Sequence, residues 1–411
     1  MAYDAEAFRA HYLGVPPSST ELDGFEVHAV RADRIRDAID VELKDSAGRV
    51  VVLFLERKLV GREALTTTNH FAVSYYPSRS VEDAEAARVG RRFAESLMRR
   101  EAALPAETAR QVLAPPAGTE ASRTVVLRIN RECNERCSFC NTPADSPAIV
   151  TATAAVQQAL REERAAGRTV VLFTGREPTL DSRLPSFLRL AKDLGYERIR
   201  LQTNGTRLAA TSYLEALVDA GLTEVEISLH TLDPPTFEAL VGPAALLAKT
   251  EAAVSAVLAR GLRLHLVTVL TTLNLAEVPS LFEALGLRHR GSPLRVSLSP
   301  MAPVGDGRRH LALIPRLTTL TTALPAIALA AESAGIELEI PSRCGLPLCA
   351  TPEVLRPRNL ESRNTPGTTL EPGKHKAPAC AQCCFDAVCT GVWSDYLDAH
   401  GAEELVPVRN P

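Results

Sequence analysis

Ile129-Asn130-Arg131-Glu132-Cys133-Asn134-Glu135-Arg136-Cys137-Ser138-Phe139-Cys140 holds three cysteines in the spacing C-x3-C-x2-C, directly after an apolar, β-type run from Thr124 to Leu127. Soft thiolates suit iron–sulfur clusters and zinc, and a closed four-iron cluster takes four of them. Three neighbouring thiolates would hold three irons and leave the fourth open, a place to bind and activate a small molecule. A zinc knuckle or three reduced surface thiols is the plainer alternative. Zinc sites, however, usually match a C-x2-C pair with a second pair elsewhere.

Outward from this stretch, residues 123 to about 340 alternate strand-like and helix-like segments. The strand patterns are Thr124–Ile129, Thr169–Phe173, Arg198–Gln202, Glu224–Leu229, Leu262–Leu270, Leu294–Leu298 and Glu337–Ile340. Helical patterns such as Leu184–Leu194, Ser212–Ala220, Ala244–Arg260 and Val278–Leu285 lie between them. Such alternation predicts parallel strands with right-handed crossovers, an α/β fold. About six units of this kind would make a partial (β/α)6 barrel, whose chemistry sits at the C-terminal strand ends. The cysteine loop follows the first strand and so falls at that end.

The cysteine spacing resembles that of the radical S-adenosylmethionine (radical SAM) superfamily. The resemblance implies a [4Fe-4S] cluster held by Cys133, Cys137 and Cys140, its open iron chelating S-adenosylmethionine. Phe139 matches the aromatic residue that commonly precedes the third cysteine, near the adenine. After the second strand, Gly175-Arg176-Glu177-Pro178 resembles the family's Gly-Gly-Glu-Pro segment, whose backbone and Glu receive the methionyl ammonium. A carboxylate is a sensible acceptor for a cation in a dry site. Arg176 departs from the pattern: it is costly if the backbone there needs positive φ and tolerable if it does not. The resemblance further implies cofactor contacts from Gln202 and Asn204 after the third strand and Ser228 after the fourth. Val269 would reach the adenine and Asn274 the ribose. His230 shares the direction of Ser228 by the two-residue strand period, which puts it at the barrel mouth as a candidate for a chemical role.

Six further cysteines follow the barrel: Cys344, Cys349, Cys380, Cys383, Cys384 and Cys389. Cys380, Cys383 and Cys389 form C-x2-C-x5-C, which resembles part of the SPASM and twitch extensions that bind auxiliary [4Fe-4S] clusters. Gly345 to Cys349 resembles their glycine-then-cysteine element, with three intervening residues instead of four. The expected ligand set for one auxiliary cluster is Cys349, Cys380, Cys383 and Cys389. Cys344 and Cys384 are then spare, or one replaces Cys349. A structural zinc is the alternative, since C-x2-C suits both. Trp393 and Tyr396 stand beside the last cysteine, where they either pack over the cluster or touch substrate.

Residues 1–103 read as an α+β domain, with strand patterns Phe25–Val30, Ala38–Leu43, Val50–Leu55 and Phe71–Tyr76 and an amphipathic helix Val81–Glu101. Residues 104–122 carry Pro105, Pro115, Pro116 and Gly118 without a clear period and read as a linker. The barrel is then 123–340 and the cysteine-rich extension 341–411. Net charge is −3 from 46 basic and 49 acidic residues, which gives nucleic-acid binding no support. The apolar run Val50–Leu55 is too short to span a bilayer, and Met1–Leu13 lacks the basic start and apolar core of a secretory signal. Nine cysteines in such a chain read as metal ligands, and a cytoplasmic location is expected.

The expected activity is therefore that of a radical SAM enzyme, abstracting a substrate hydrogen through a 5′-deoxyadenosyl radical. Many relatives with such extensions modify peptides, which makes a peptide the leading substrate class. A small biosynthetic intermediate (nucleoside, sugar or amino acid) is the alternative. The resemblance also implies a reducing partner such as flavodoxin or ferredoxin. A non-catalytic redox sensor is the third reading, and Glu177 argues against it, because a sensor needs no S-adenosylmethionine site.

Overall fold

β-branched runs separated by amphipathic helices settle most of the architecture in a computed structural model of the chain. The structure describes residues 5–14, 16–33, 38–57, 65–68, 71–76, 81–102, 104, 123–141, 151–342, 345–364 and 374–409. They divide into two compact units, one within residues 1–124 and one running from residue 125 onward. Apart from Leu104, the expected linker lies outside the described residues.

The first unit runs α1 (Ala5–Tyr12), β1 (Phe25–Asp33), β2 (Ala38–Asp45), β3 (Val50–Arg57), β4 (Thr66–Thr67), β5 (Phe71–Tyr76) and α2 (Asp83–Glu101). Its five strands form one sheet in the order β1-β2-β3-β5-β4, with every pair antiparallel. Alternate residues Ile39, Val41, Leu43, Leu53, Leu55 and Val73 are buried in one core with Phe8, Tyr12 and Phe93 of the helices. Phe8 and Tyr12 stack at 5.0 Å and both meet the Phe71 ring edge-on. Asp83 and Glu85 in the first turn of α2, and Arg99 and Arg100 in its last, complement the helix dipole.

The second unit begins with seven strands: β6 (Thr124–Asn130), β7 (Val170–Gly175), β8 (Arg198–Thr203), β9 (Glu224–Ser228), β10 (Arg263–Leu270), β11 (Leu294–Pro300) and β12 (Ile336–Glu339). They lie side by side in chain order, and the pairs from β7 to β12 are parallel. Between them run α3 (Thr153–Ala165), α4 (Leu184–Asp193), α5 (Thr211–Asp219), α6 (Pro234–Leu240), α7 (Leu247–Ala259), α8 (Val278–Arg288) and α9 (Leu317–Ser333). The α6 start shows the local logic: Asp233 accepts from Thr236 N at 2.9 Å and Pro234 takes the first position, where its missing N–H costs nothing.

Parallel sheets are usually apolar on both faces; here one face is polar. Ile199, Leu201, Val225, Ile227, Leu266 and Val296 fill one side. The other side is cross-linked by Arg198–Glu224 at 2.5 Å, Arg200–Glu226, His265–Ser297 at 2.9 Å and Ser297–Glu339 at 3.0 Å.

The chain ends in β13 (Lys374–His375), β14 (Val392–Trp393) and α10 (Ser394–His400), with β13 and β14 antiparallel. This segment belongs to the same compact unit as the seven strands. Glu404 reaches back to the start of α9, accepting from Thr318 N at 3.2 Å and pairing with Arg316 at 3.2 Å. No single described helix is long and apolar enough to cross a membrane.

Candidate active site and a second cysteine site

Asn130 ends β6, and the chain then turns through the three cysteines. Backbone bonds hold this loop from several sides. Arg136 N donates to Val241 O and Ser138 N to Leu240 O, both at 2.9 Å, tying the loop to the end of α6. Glu177 N donates to Glu132 O at 2.9 Å, and Asp306 N to Cys140 O at 2.8 Å. The amide of Asn204 donates to Asn134 Oδ1 at 2.8 Å.

The three thiols are close enough to act on one another. Burial pushes Cys133 up to about 11. It also pushes Cys137 well above the usual thiol range, with Glu135, Cys140 and Cys133 adding to the effect. Crowded, half-buried thiols such as Cys133 and Cys137 resist ionisation unless a cation compensates them, which fits a donor set built for a metal cluster. Glu135 lies inside the same loop. Burial, then the charge of Glu177, pushes it up to about 8.

Gly175 has φ +151°, and a Cβ there would fall on the Asn130 carbonyl oxygen. Glycine is therefore required at 175. Arg176 is not among the positive-φ residues, so the departure from a second glycine is tolerated by the backbone. Its charge instead opposes the rise in the Cys133 pKa.

Glu177 is fully buried. Its Oε1 accepts from Thr179 N at 2.9 Å, Thr179 Oγ1 at 2.5 Å and Thr203 Oγ1 at 2.7 Å. Oε2 accepts from Asn204 N at 2.7 Å. Pro178 then opens a short 3-10 turn. Glu177 is thus first a clamp between the ends of β7 and β8. A carboxylate oxygen has two acceptor positions, and Oε2 uses one of them, for Asn204 N. The sequence reading missed Thr179 and Thr203; the only signal was their nearness to Glu177 and to a strand end.

The strand ends hold the other expected contacts. Gln202 accepts from Thr174 Oγ1 at 2.8 Å. Ser228 and Val269 are half-buried on the polar side of the sheet. Asn274 needs correction. Its Oδ1 accepts from Thr271 N and Oγ1, and its amide donates to His230 O and Val269 O, all at 2.8–2.9 Å. All four of its hydrogen-bonding positions are used, so it ties β9 to β10 and has no amide left for a ribose.

His230 is buried, and its ring meets Phe139 edge-on at 4.6 Å. Nδ1 accepts from Val269 N at 3.0 Å, which leaves the proton on Nε2. Burial pulls its pKa down to about 3. It is a neutral donor at pH 7, not a proton shuttle. A proton-NMR titration should show His230 uncharged from about pH 8 to about pH 4; a midpoint near 6.5 would sink this assignment. The sign for stability follows. The unfolded His takes a proton near 6.5 and the native one refuses it, so the contribution is full above 6.5 and falls as pH drops toward 3.

A model of the radical SAM superfamily matches residues 127–285. That segment belongs to the radical SAM superfamily. The PqqA peptide cyclase of Xanthomonas campestris pv. campestris (strain B100) is 30% identical over 220 residues, 53% of this chain and 57% of that protein. The GTP 3′,8-cyclase of Erythrobacter litoralis (strain HTCC2594) is 32% identical over 189 residues, 44% of this chain and 54% of that protein. The chain thus spans a little over half the length of these curated relatives. Among solved structures, Streptococcus suis SuiB bound to S-adenosylmethionine aligns with a TM-score of 0.44 at 17% identity, over 64% of this chain and 56% of that one.

Beyond the radical SAM barrel, Cys349, Cys380, Cys383 and Cys389 line a cavity with about 360 Å³ of empty space, part of it open to solvent. These are the four thiols expected from the sequence. Cys384 is exposed, and its backbone N donates to Val408 O at 2.8 Å. Cys344 lies outside the described residues. Burial pushes Cys349 up to about 11 and Cys389 up to about 12. Among the described residues, no three His, Cys, Asp or Glu side chains converge on a single ion. Four half-buried thiols around a shared cavity form a donor set that fits a polynuclear cluster.

Trp393 is buried, and a Cβ at Gly345 (φ +79°) would fall on its indole. Trp393 ends β14, so it does not share a helix face with Tyr396. Tyr396 OH accepts from Leu317 N at 2.7 Å and donates to Glu404. Tyr396 therefore packs the extension onto the barrel, whereas Trp393 packs within the extension, against Gly345 and under Lys374.

One contact had only a weak sequence signal, the two glycines in Val304-Gly305-Asp306-Gly307. This segment lies against the cluster loop: a Cβ at Gly305 (φ +57°) would fall on the Cys140 carbonyl oxygen. From the same turn, Arg308 pairs with Asp395 of α10 at 3.2 Å.

Proposed function

We propose that the chain is a radical SAM enzyme that cleaves S-adenosylmethionine reductively and abstracts hydrogen from a peptide. The observation that carries this is the meeting of three half-buried thiols with the Glu177 clamp at the strand ends of the barrel. When bound, a four-iron cluster with one open iron supplies the electron that cleaves S-adenosylmethionine to a 5′-deoxyadenosyl radical. The chain's own residues do the rest. Cys133, Cys137 and Cys140 hold the metal, the remaining acceptor position of Glu177 Oε2 takes the methionyl ammonium, and Phe139 with His230 walls the adenine side. Cys349, Cys380, Cys383 and Cys389 hold an auxiliary [4Fe-4S] cluster, and a flavodoxin or ferredoxin supplies electrons.

The peptide reading rests on the likeness to the PqqA peptide cyclase. A nucleotide or other small molecule is the second reading, favoured by the likeness to the GTP 3′,8-cyclase and by the polar face of the sheet. Anaerobically purified protein given dithionite and S-adenosylmethionine is expected to release 5′-deoxyadenosine. No release from iron-replete protein would overturn the reading. Deuterium appearing in 5′-deoxyadenosine from a perdeuterated peptide pool, and not from labelled nucleotides, separates the two substrate classes.

A further inference from the structure

Behind Cys389 lies a fully buried ion pair that the proposed chemistry does not use. Lys374 Nζ and the Glu361 carboxylate are 3.2 Å apart, and both side chains are 0% exposed. Lys374 also donates to Ser342 O at 2.6 Å and Thr390 Oγ1 at 3.0 Å, so all three of its N–H groups are satisfied. Glu361 accepts in addition from Thr390 N at 3.2 Å and from the Thr390 hydroxyl. Its own N–H is held by Asn359 Oδ1 at 3.0 Å. Burying two charges is expensive, and a well-packed apolar pair often serves stability as well. The pair is therefore weak evidence for stability and better evidence for placement.

What it places is the residue after Cys389. With Thr390 held by backbone and side chain, Gly391 N donates to Cys389 Sγ at 3.4 Å. Gly391 has φ +78°, and a Cβ there would fall on the His375 carbonyl, so this turn requires glycine. The Glu361 charge also reaches the Cys389 sulfur. Hydrogen bonds to sulfur and local net charge are two of the levers that set cluster potentials.

We propose that Glu361, Lys374 and Thr390 form a charge-balanced positioning network that orients Cys389 and its N–H···S bond and thereby sets the reduction potential of the C-terminal cluster. The inference rests on the reading that the four thiols hold such a cluster. Lys374→Gln leaves an uncompensated carboxylate beside Cys389 and should disfavour the added electron. Glu361→Gln leaves the opposite charge and should favour it. The double variant restores neutrality.

The test is an EPR-monitored redox titration of the full chain, with iron counted for each protein. The expected result is a potential lowered in Lys374→Gln, raised in Glu361→Gln and returned toward the parent in the double variant. Equal potentials in all four proteins, each with about eight irons, overturn the network's role alone. So does loss of the cluster from the double variant as well as from both single ones, which is what mere scaffolding would give. A parent protein with only about four irons removes the cluster reading itself and the inference with it.

Discussion

Replacing Cys133, Cys137 and Cys140 together by Ala is expected to lower iron from about eight to about four per chain and to abolish release of 5′-deoxyadenosine. The fold should survive. The loop is fixed by backbone bonds from Arg136 and Ser138 to the end of α6, from Glu177 to Glu132 and from Asp306 to Cys140 O, none of which uses a thiol. Far-ultraviolet circular dichroism should therefore match the parent while iron and activity fall. Unchanged iron in the triple variant would show that these thiols hold no cluster. Iron near zero would show that the second site cannot load without the first.

The second large effect concerns Glu177→Ala. Removing the carboxylate strands four buried donors from Thr179, Thr203 and Asn204. Hydrogen bonds to a charged group contribute roughly 1.5–3 kcal/mol each and are not additive, so a loss of about 3–5 kcal/mol is expected. Glutamine is not a benign replacement, because its NH2 would face the Asn204 N–H or the Thr179 and Thr203 donors. The measurement is denaturant unfolding of metal-free protein, following the transition of the barrel unit, so that folding is separated from cofactor binding. An unchanged midpoint with weaker S-adenosylmethionine binding would make Glu177 a pure ligand contact and the clamp energetically idle.

The sequence carried the cysteine spacing and the run of seven strands because both are local: one is a spacing, the other a two-residue period between helical patterns. What lay beyond it were pairings across long separations. Asn274 looked like a ribose contact because a polar residue after a strand has that place, yet its partners at 230, 269 and 271 spend its whole amide. Arg176 could not be judged until the backbone showed that only Gly175 needs positive φ. The Lys374–Glu361 pair joins the first residue of β13 to a short 3-10 turn upstream of it, with no pattern to announce it. Helix α1 was not anticipated either, since eight residues mixing Glu6, Arg9 and His11 with Phe8 and Tyr12 gain their order from packing on Phe71.

The turn at Gly305 bears on how this chain could be cut or recombined. Its backbone rests on the Cys140 carbonyl, its Arg308 holds Asp395, and α9 after it is met at its first turn by Tyr396 and Glu404. A truncation near residue 340, or a chimaera carrying a foreign tail, would strand Arg308 and uncover the Leu317 and Thr318 amides. The damage would then travel through residues 305–308 to the third cysteine of the barrel. The tail is therefore not a detachable cassette, and grafting it elsewhere requires the 301–318 segment to move with it.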